Sequence, residues 1–185
     1  MSTRTSKIDQ LKMVKAIVFD FDGVFTDNRV YVSQNGEEAV ACDRSDGMGI
    51  LMLRKVGVPM VIISTEKNPV VAVRGSKLQM DVLQGIDDKL PTLEKWASEN
   101  DLTLDQLAFV GNDINDVECI EGVGLGVVVA DAYPVAVAAA DMRSARSPIC
   151  GSLRIIREPL PVKLCKLFAN VIDLVMIEFW VHRER

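Results

Sequence analysis

The stretch that most constrains this chain is Lys15-Ala16-Ile17-Val18-Phe19-Asp20-Phe21-Asp22-Gly23-Val24-Phe25-Thr26-Asp27. An apolar run of strand length ends in two carboxylates one residue apart, and a glycine then lets the chain turn away. In an open α/β sheet, ligands bind outside the carboxyl ends of the strands, so Asp20 and Asp22 are expected in a site and not in the core. Two acids this close repel each other unless a cation or a shared proton relieves them. The economical partner is a hard cation, Mg²⁺, held by oxygen ligands. Taken alone, the segment also reads as a plain turn at Asp22-Gly23 with Asp20 as a strand-end cap.

The same pattern of apolar run and polar end recurs further along the chain. Arg29 to Asp43 alternates in strand fashion around Asn35-Gly36, which predicts a β-hairpin directly after the acidic pair. Gly47 to Val56 has helical spacing, and Pro59 to Ile63 is a second apolar run that ends in Ser64-Thr65-Glu66-Lys67. A helix over about 69–78, a short strand near 80–83, a helix over 88–100 and a strand over 107–110 come next. The last of these runs into Gly111-Asn112-Asp113-Ile114-Asn115-Asp116. Another strand is expected over 125–129 and a short helix over 134–140. Strands alternate with helices, and each polar cluster lies just past a strand. The fold class expected is therefore α/β: a Rossmann-like parallel sheet with helices on both faces, a β-hairpin inserted after the first strand, and no cap domain.

Composition narrows the function. With 185 residues the chain suits one domain. Its apolar fraction is 49% while only 5% is aromatic, so the core material is aliphatic and β-branched, as a sheet buried on both faces requires. A net charge of −5 supplies no basic stripe to neutralise phosphates, which argues against nucleic acid as a partner. Cys42, Cys119, Cys150 and Cys165 are widely spaced and read as reduced thiols of a cytoplasmic protein. Ser2 to Lys12 lacks an apolar signal core, and no apolar run reaches the roughly 20 residues of a membrane helix. Residues 1–13 read as an N-terminal extension, 14–158 as the domain and 159–185 as an apolar helical tail. His182 reads as solvated.

Assembled, the strand ends offer Asp20, Asp22, Ser64, Lys89, Asn112, Asp113 and Asp116. Phosphoryl transfer can use such a set. One carboxylate attacks phosphorus, another acid protonates the leaving alkoxide, and a hydroxyl and an ammonium bind the phosphoryl oxygens while a cation offsets charge. Asp116 equally reads as a loop support, and Asp27 as a cap at the hairpin entry.

Asp20 to Asp27, Ser64, Lys89 and Gly111 to Asp116 together resemble the four motifs of the haloacid dehalogenase superfamily. With Asp46-Gly47-Met48-Gly49-Ile50, 85–90 and Val123 to Pro134, the chain is more closely similar to the capless branch. That branch contains the 3-deoxy-D-manno-octulosonate 8-phosphate phosphatases, N-acylneuraminate 9-phosphatase-type enzymes and the C-terminal domain of some acylneuraminate cytidylyltransferases. The resemblance implies Asp20 as nucleophile, Asp22 as general acid and base, and Ser64 and Lys89 as phosphoryl holders. It implies Mg²⁺ on Asp20, the Asp22 carbonyl and the acidic motif, Asn112 and Asp113. Where the family commonly has two aspartates after the glycine, this chain has Asn112 first, which removes a charge from the expected cation site. The family's glycine-rich stretch is altered at 148–158. An alternative thus stays open: a non-catalytic oligomerisation domain of an acylneuraminate cytidylyltransferase.

The intervals between motifs are too short for a cap, so the site needs cover from elsewhere. The hairpin and the apolar tail are the candidates, and the resemblance implies a homotetramer. For the substrate, Arg44, Asp46, Glu66 and Lys67 stand at the expected rim, with a surface pair as the other reading of Arg44 and Asp46. Glu66 can accept from sugar hydroxyls and Lys67 can pair with a sugar-acid carboxylate. Ser64-Thr65-Glu66-Lys67 is more similar to the Glu-Lys pattern of the nonulosonate branch than to the stretch usual in the octulosonate phosphatases, and this resemblance favours a sialic-acid-type 9-phosphate over an octulosonate 8-phosphate.

Overall fold

The structure, a computed structural model, describes residues 7–144. The expected tail, the stretch at 148–158 and His182 lie outside the described residues.

The sheet is built from short runs of consecutive buried residues, prominent among them β1 (Ala16–Phe19), β6 (Leu107–Gly111) and β7 (Leu125–Val128), buried throughout, and β4 (Met60–Ile63), buried from Val61 on. Neighbours along a strand point to opposite faces, so burial of successive residues means that both faces are covered. With β5 (Asp81–Leu83) and β8 (Met142–Arg143), these form a six-stranded sheet in the order β5-β4-β1-β6-β7-β8. Every pairing in it is parallel. From β1 the chain first builds outward through β4 and β5, then returns to the other side of β1 with β6. This reversal makes the carboxyl ends of β1, β4 and β6 the crevice where an open sheet binds ligands.

The expected hairpin is present as β2 (Thr26–Val32) and β3 (Glu38–Cys42), antiparallel and separate from the main sheet. Its turn has Gly36 at φ +84°, a left-handed conformation that favours glycine. Between Thr26 and Val30 the register shifts, and Asn28 has φ +60°. The base of the arm is therefore bulged.

Helices α2 (Ser45–Lys55), α3 (Val70–Leu78), α4 (Lys89–Glu99) and α6 (Pro134–Ala139) fall where the spacing predicts them. Two further helices carry no such signal in the spacing. α1 (Lys7–Met13) occupies part of the stretch read as an extension and buries Leu11, and α5 (Val117–Gly122) continues from the acidic loop. No helix among the described residues is long and apolar enough to cross a membrane.

Under the opening motif, Phe19, Phe21 and Phe25 are fully buried. Phe19 meets Phe25 edge-on at 5.4 Å and Phe21 stacks on Phe25 at 6.1 Å, contacts worth about 0.5–1.5 kcal/mol each beyond their burial. The alternation Phe19-Asp20-Phe21-Asp22 thus drives aromatic anchors into the core and leaves the acids at the strand end.

Candidate active site

β1 pairs with β4 and β6 such that Phe19 lies opposite both Ile62 and Val110. One residue further along, Asp20 comes level with the ends of both neighbours, and its amide donates to the Val110 carbonyl at 2.9 Å. Residues far apart in sequence are thereby gathered at one edge: Asp20 and Asp22 after β1, Ser64 after β4, and Asn112 and Asp113 after β6. Lys89 enters from the first position of α4.

Lys89 is the hinge of the cluster. Its Nζ donates to Asp20 Oδ1 and to Asp116 Oδ1, each at 2.7 Å, with all three side chains buried. Burial alone would lower the lysine pKa, but the two carboxylates outweigh it and hold it above its ordinary value. Of three ammonium protons, one remains for a ligand. On Asp20 the balance runs the other way. Burial and the nearby Asp116 carboxylate push it up to about 7, against the downward pull of Lys89 and the Phe21 amide.

Asp116, 0% exposed, also shapes the loop. Its Oδ2 accepts from the amides of Asn112 at 2.8 Å and Asp113 at 3.1 Å. A Cβ on Gly111 would come within 2.6 Å of that oxygen, so a residue with a side chain would displace it. Asp116 is legible in the sequence only as a member of the acidic loop, and its place as the lysine's second anchor is not. Spacing does not reveal which carboxylate of such a loop turns inward.

Asn112 and Asp113 part company. The Asp113 side chain accepts from the Ile114 amide at 2.6 Å and caps the turn at Ile114–Asp116. Asn112 is buried, and its Oδ1 meets no hydrogen-bond donor among the described residues. Its amide lies against Gly23: a Cβ there would be 2.0 Å from Asn112 Nδ2, and Gly23 has φ +76°. The close approach and the left-handed turn both require glycine. A buried amide oxygen without a donor is what a cation would satisfy. Among the described residues no group of three or more His, Cys, Asp or Glu side chains could hold a metal. A cation here would depend on Asp20, the Asp22 carbonyl and the Asn112 oxygen. That oxygen set suits Mg²⁺ and carries one formal negative charge.

Asp22 is half-buried. Its pKa is raised, first by burial and then by Glu66, against Lys89 and a hydrogen bond with Thr26. Ser64, fully buried, accepts from the Glu66 amide at 3.1 Å and keeps its own proton to donate.

At the rim, Glu66 Oε1 is engaged by the amides of Lys67 at 2.6 Å and Asn68 at 2.7 Å, so this carboxylate first of all shapes its own loop. Lys67 is exposed, and its Nζ lies 4.0 Å from Asp87 Oδ1. Arg44 is exposed at the cap of α2, whereas Asp46 is 1% exposed. The surface-pair reading of Arg44 and Asp46 is thereby corrected. α2 begins at Ser45, and its first turn carries Asp46 inward.

A family model described as haloacid dehalogenase-like hydrolase matches residues 62–148. The chain is 33% identical over 135 residues to the 3-deoxy-D-manno-octulosonate 8-phosphate phosphatase KdsC of Escherichia coli, with 72% of each chain covered. It is 36% identical over 130 residues to N-acylneuraminate cytidylyltransferase A of Danio rerio, covering 69% of this chain. It spans only 30% of that relative's length. Among solved structures, a HAD family hydrolase from Streptomyces avermitilis superposes with TM-score 0.76 at 43% identity, covering 79% of this chain and 84% of that one. The cobalt-bound form of the deoxy-D-mannose-octulosonate 8-phosphate phosphatase (YrbI) from Haemophilus influenzae gives TM-score 0.75 at 26% identity, covering 80% and 86%. The chain belongs to the haloacid dehalogenase-like hydrolases, in their 3-deoxy-D-manno-octulosonate 8-phosphate phosphatase-type branch. The expected fold agrees with that membership, and the described residues include no cap domain.

Proposed function

We propose that this protein is a Mg²⁺-dependent phosphomonoesterase that removes the phosphate from a phosphorylated 2-keto-3-deoxy sugar acid through an aspartyl-phosphate intermediate. The observation that carries the reading is the buried Lys89 bridge, 2.7 Å from both Asp20 and Asp116, at the shared carboxyl edge of β1, β4 and β6. Lys89 orients the Asp20 carboxylate and, with the Ser64 hydroxyl, offers a proton to phosphoryl oxygens. Asp20 attacks phosphorus, and the ester P–O bond breaks as Asp22 gives its proton to the leaving alkoxide. Asp22 then takes a proton from the water that cleaves the acyl phosphate and frees Asp20. Bound to Asp20, the Asp22 carbonyl and Asn112, Mg²⁺ would offset the negative charge gathered in the site.

Two ester classes fit. The relatives include an octulosonate 8-phosphate phosphatase and an acylneuraminate cytidylyltransferase. The resemblance of Glu66-Lys67 to the sialic-acid branch supports the sialic-acid-type 9-phosphate, and Lys67 is exposed to meet the carboxylate that either ester carries. The test is kcat/KM for both esters, with and without Mg²⁺, in wild type and Glu66→Arg. A preference for the octulosonate ester that the variant leaves unchanged refutes the rim reading. No turnover of either ester refutes the enzyme and leaves the non-catalytic module. For the assembly we propose a homotetramer, supported by the exposed apolar arm of Val30, Tyr31 and Val32.

A further inference from the structure

Ser64 and Lys89 reach the site from different loops, and those loops are tied together beyond the strands that precede them. The β4–β5 pairing runs as far as Ile63 and Leu83. Past it, the Ser64 amide donates to the Leu83 carbonyl at 2.9 Å, the Ile86 amide to the Ser64 carbonyl at 3.1 Å and the Gly85 amide to the Glu66 carbonyl at 2.9 Å. Gly85 makes this return at φ +70°, a left-handed conformation that favours glycine. One side chain completes the tie. Gln84 Nε2 donates to the Lys67 carbonyl at 3.2 Å, and Gln84 Oε1 accepts from the Ala72 amide at 3.1 Å. Ala72 lies in the first turn of α3, where amides lack partners within the helix, and Pro69 at the cap makes no side-chain bond to them. The two ends of one side-chain amide thus grip both ends of the segment from Lys67 to Ala72.

We propose that Gln84 is a positioning residue that locks the loop carrying Ser64 to the loop leading into Lys89, so that the Ser64 hydroxyl and the Lys89 ammonium converge on one phosphoryl group. The proposal rests on the reading of those two groups as phosphoryl holders. Lys89 is fixed by Asp20 and Asp116. The direction of the Ser64 hydroxyl follows its loop, because its oxygen accepts from the amide of Glu66, whose carbonyl is part of the tie. A misplacement of about 1 Å at a reacting centre costs as much as about 10²-fold in rate. The chemistry also accounts for the residue type. Glutamine carries a donor and an acceptor at one tip, whereas glutamate carries acceptors alone. Gln84→Glu can still take the Ala72 amide, and its charge beside the α3 N-terminus is favourable, but it meets the Lys67 carbonyl without a proton. That variant separates the tie from the stability of the helix.

The experiment compares wild type, Gln84→Ala, Gln84→Glu and Ser64→Ala by three measurements: affinity for inorganic phosphate by calorimetry at saturating Mg²⁺, kcat/KM for p-nitrophenyl phosphate, and amide hydrogen exchange. Both Gln84 variants are expected to bind phosphate about tenfold more weakly and to lose about tenfold or more in kcat/KM, with Ser64→Ala as the reference loss. Gln84→Glu should keep the wild-type Tm within about 2 °C. In both variants the Gly85 and Ile86 amides should exchange about tenfold faster, while the Asp20 amide, bonded to the Val110 carbonyl, keeps its rate. Wild-type phosphate affinity in both Gln84 variants, with a loss in Ser64→Ala, overturns the proposal and leaves the phosphoryl holders standing. A wild type that binds no phosphate, or an unaffected Ser64→Ala, overturns both. A Gln84→Glu protein in which Tm falls and every amide exchanges faster also overturns the proposal, because Gln84 then serves stability alone. Should Gln84→Ala fail to fold, Gln84→Glu is read in its place. The phosphate and exchange measurements decide the matter whether or not the ester is turned over.

Discussion

Replacing Asp116 by Asn should cost this protein far more stability than replacing Asp20 by Asn, although both touch the same lysine. Asp116 uses both oxygens: Oδ1 takes Lys89 Nζ, and Oδ2 takes the amides of Asn112 and Asp113. An asparagine offers one acceptor and an NH₂ group. Whichever way it turns, donors face donors, either at the ammonium or at the two amides. A lost bond to a charged group is worth about 1.5–3 kcal/mol and a stranded buried amide about 1–3 kcal/mol. The sum, about 2.5–6 kcal/mol, brackets the range of about 3–5 kcal/mol found when one partner of a buried ion pair is removed. At about 2–4 °C per kcal/mol for a chain of this length, Tm should fall by about 6–20 °C. Asp20→Asn leaves Lys89 paired with Asp116 and removes a carboxylate whose charge burial already disfavours, so its cost should stay within about 1 kcal/mol. Urea and thermal unfolding of the two variants beside wild type, free of metal, decide it. An Asp116→Asn protein that loses less than about 1 kcal/mol, or an Asp20→Asn protein equally damaged, would refute the assignment of Asp116 as the anchor of the cluster.

Asn112→Asp should tighten Mg²⁺ binding, measured by calorimetry, because it adds a charge at the buried oxygen now without a donor; unchanged affinity would exclude that oxygen as a ligand. The raised Asp20 pKa sets a pH dependence in the metal-free protein. The folded state holds the proton more tightly than the unfolded one, so the stability this group contributes is present below pH of about 4 and is lost as pH rises through about 7. Tm against pH in wild type minus that in Asp20→Asn isolates the effect, Mg²⁺ should diminish it, and a difference that grows with pH would contradict it. Light scattering at micromolar concentration should report a tetramer, and an active monomer would end the case for cover by another subunit.

Strands and turns are more legible in this chain than side-chain directions, because the two kinds of information lie in different places. Parallel strands buried on both faces announce themselves as unbroken aliphatic runs, so β1, β4, β6 and β7 stand out, and Asn35-Gly36 marks the hairpin. The six-residue α5 and the two-residue β8 are too short to show a period. Polar side chains are legible as a set but not in their directions. Asp113 turns to cap the next turn, Glu66 folds onto two backbone amides and Asp46 is carried inward. Each choice depends on which backbone donors the fold brings near, and local spacing does not contain that information. Gly23 shows the same limit. Its turn is evident, but its contact with Asn112 joins residues far apart in the chain.

The central claim, that Asp20 becomes phosphorylated, is tested by acid-quenching the enzyme during turnover of a labelled phosphate ester and mapping the label by peptide mass spectrometry. The account predicts phosphate on the peptide that carries Asp20 in wild type, and neither label nor turnover in Asp20→Asn, which keeps the shape but cannot attack phosphorus. Wild-type turnover in Asp20→Asn, or phosphate trapped on another residue, would contradict it.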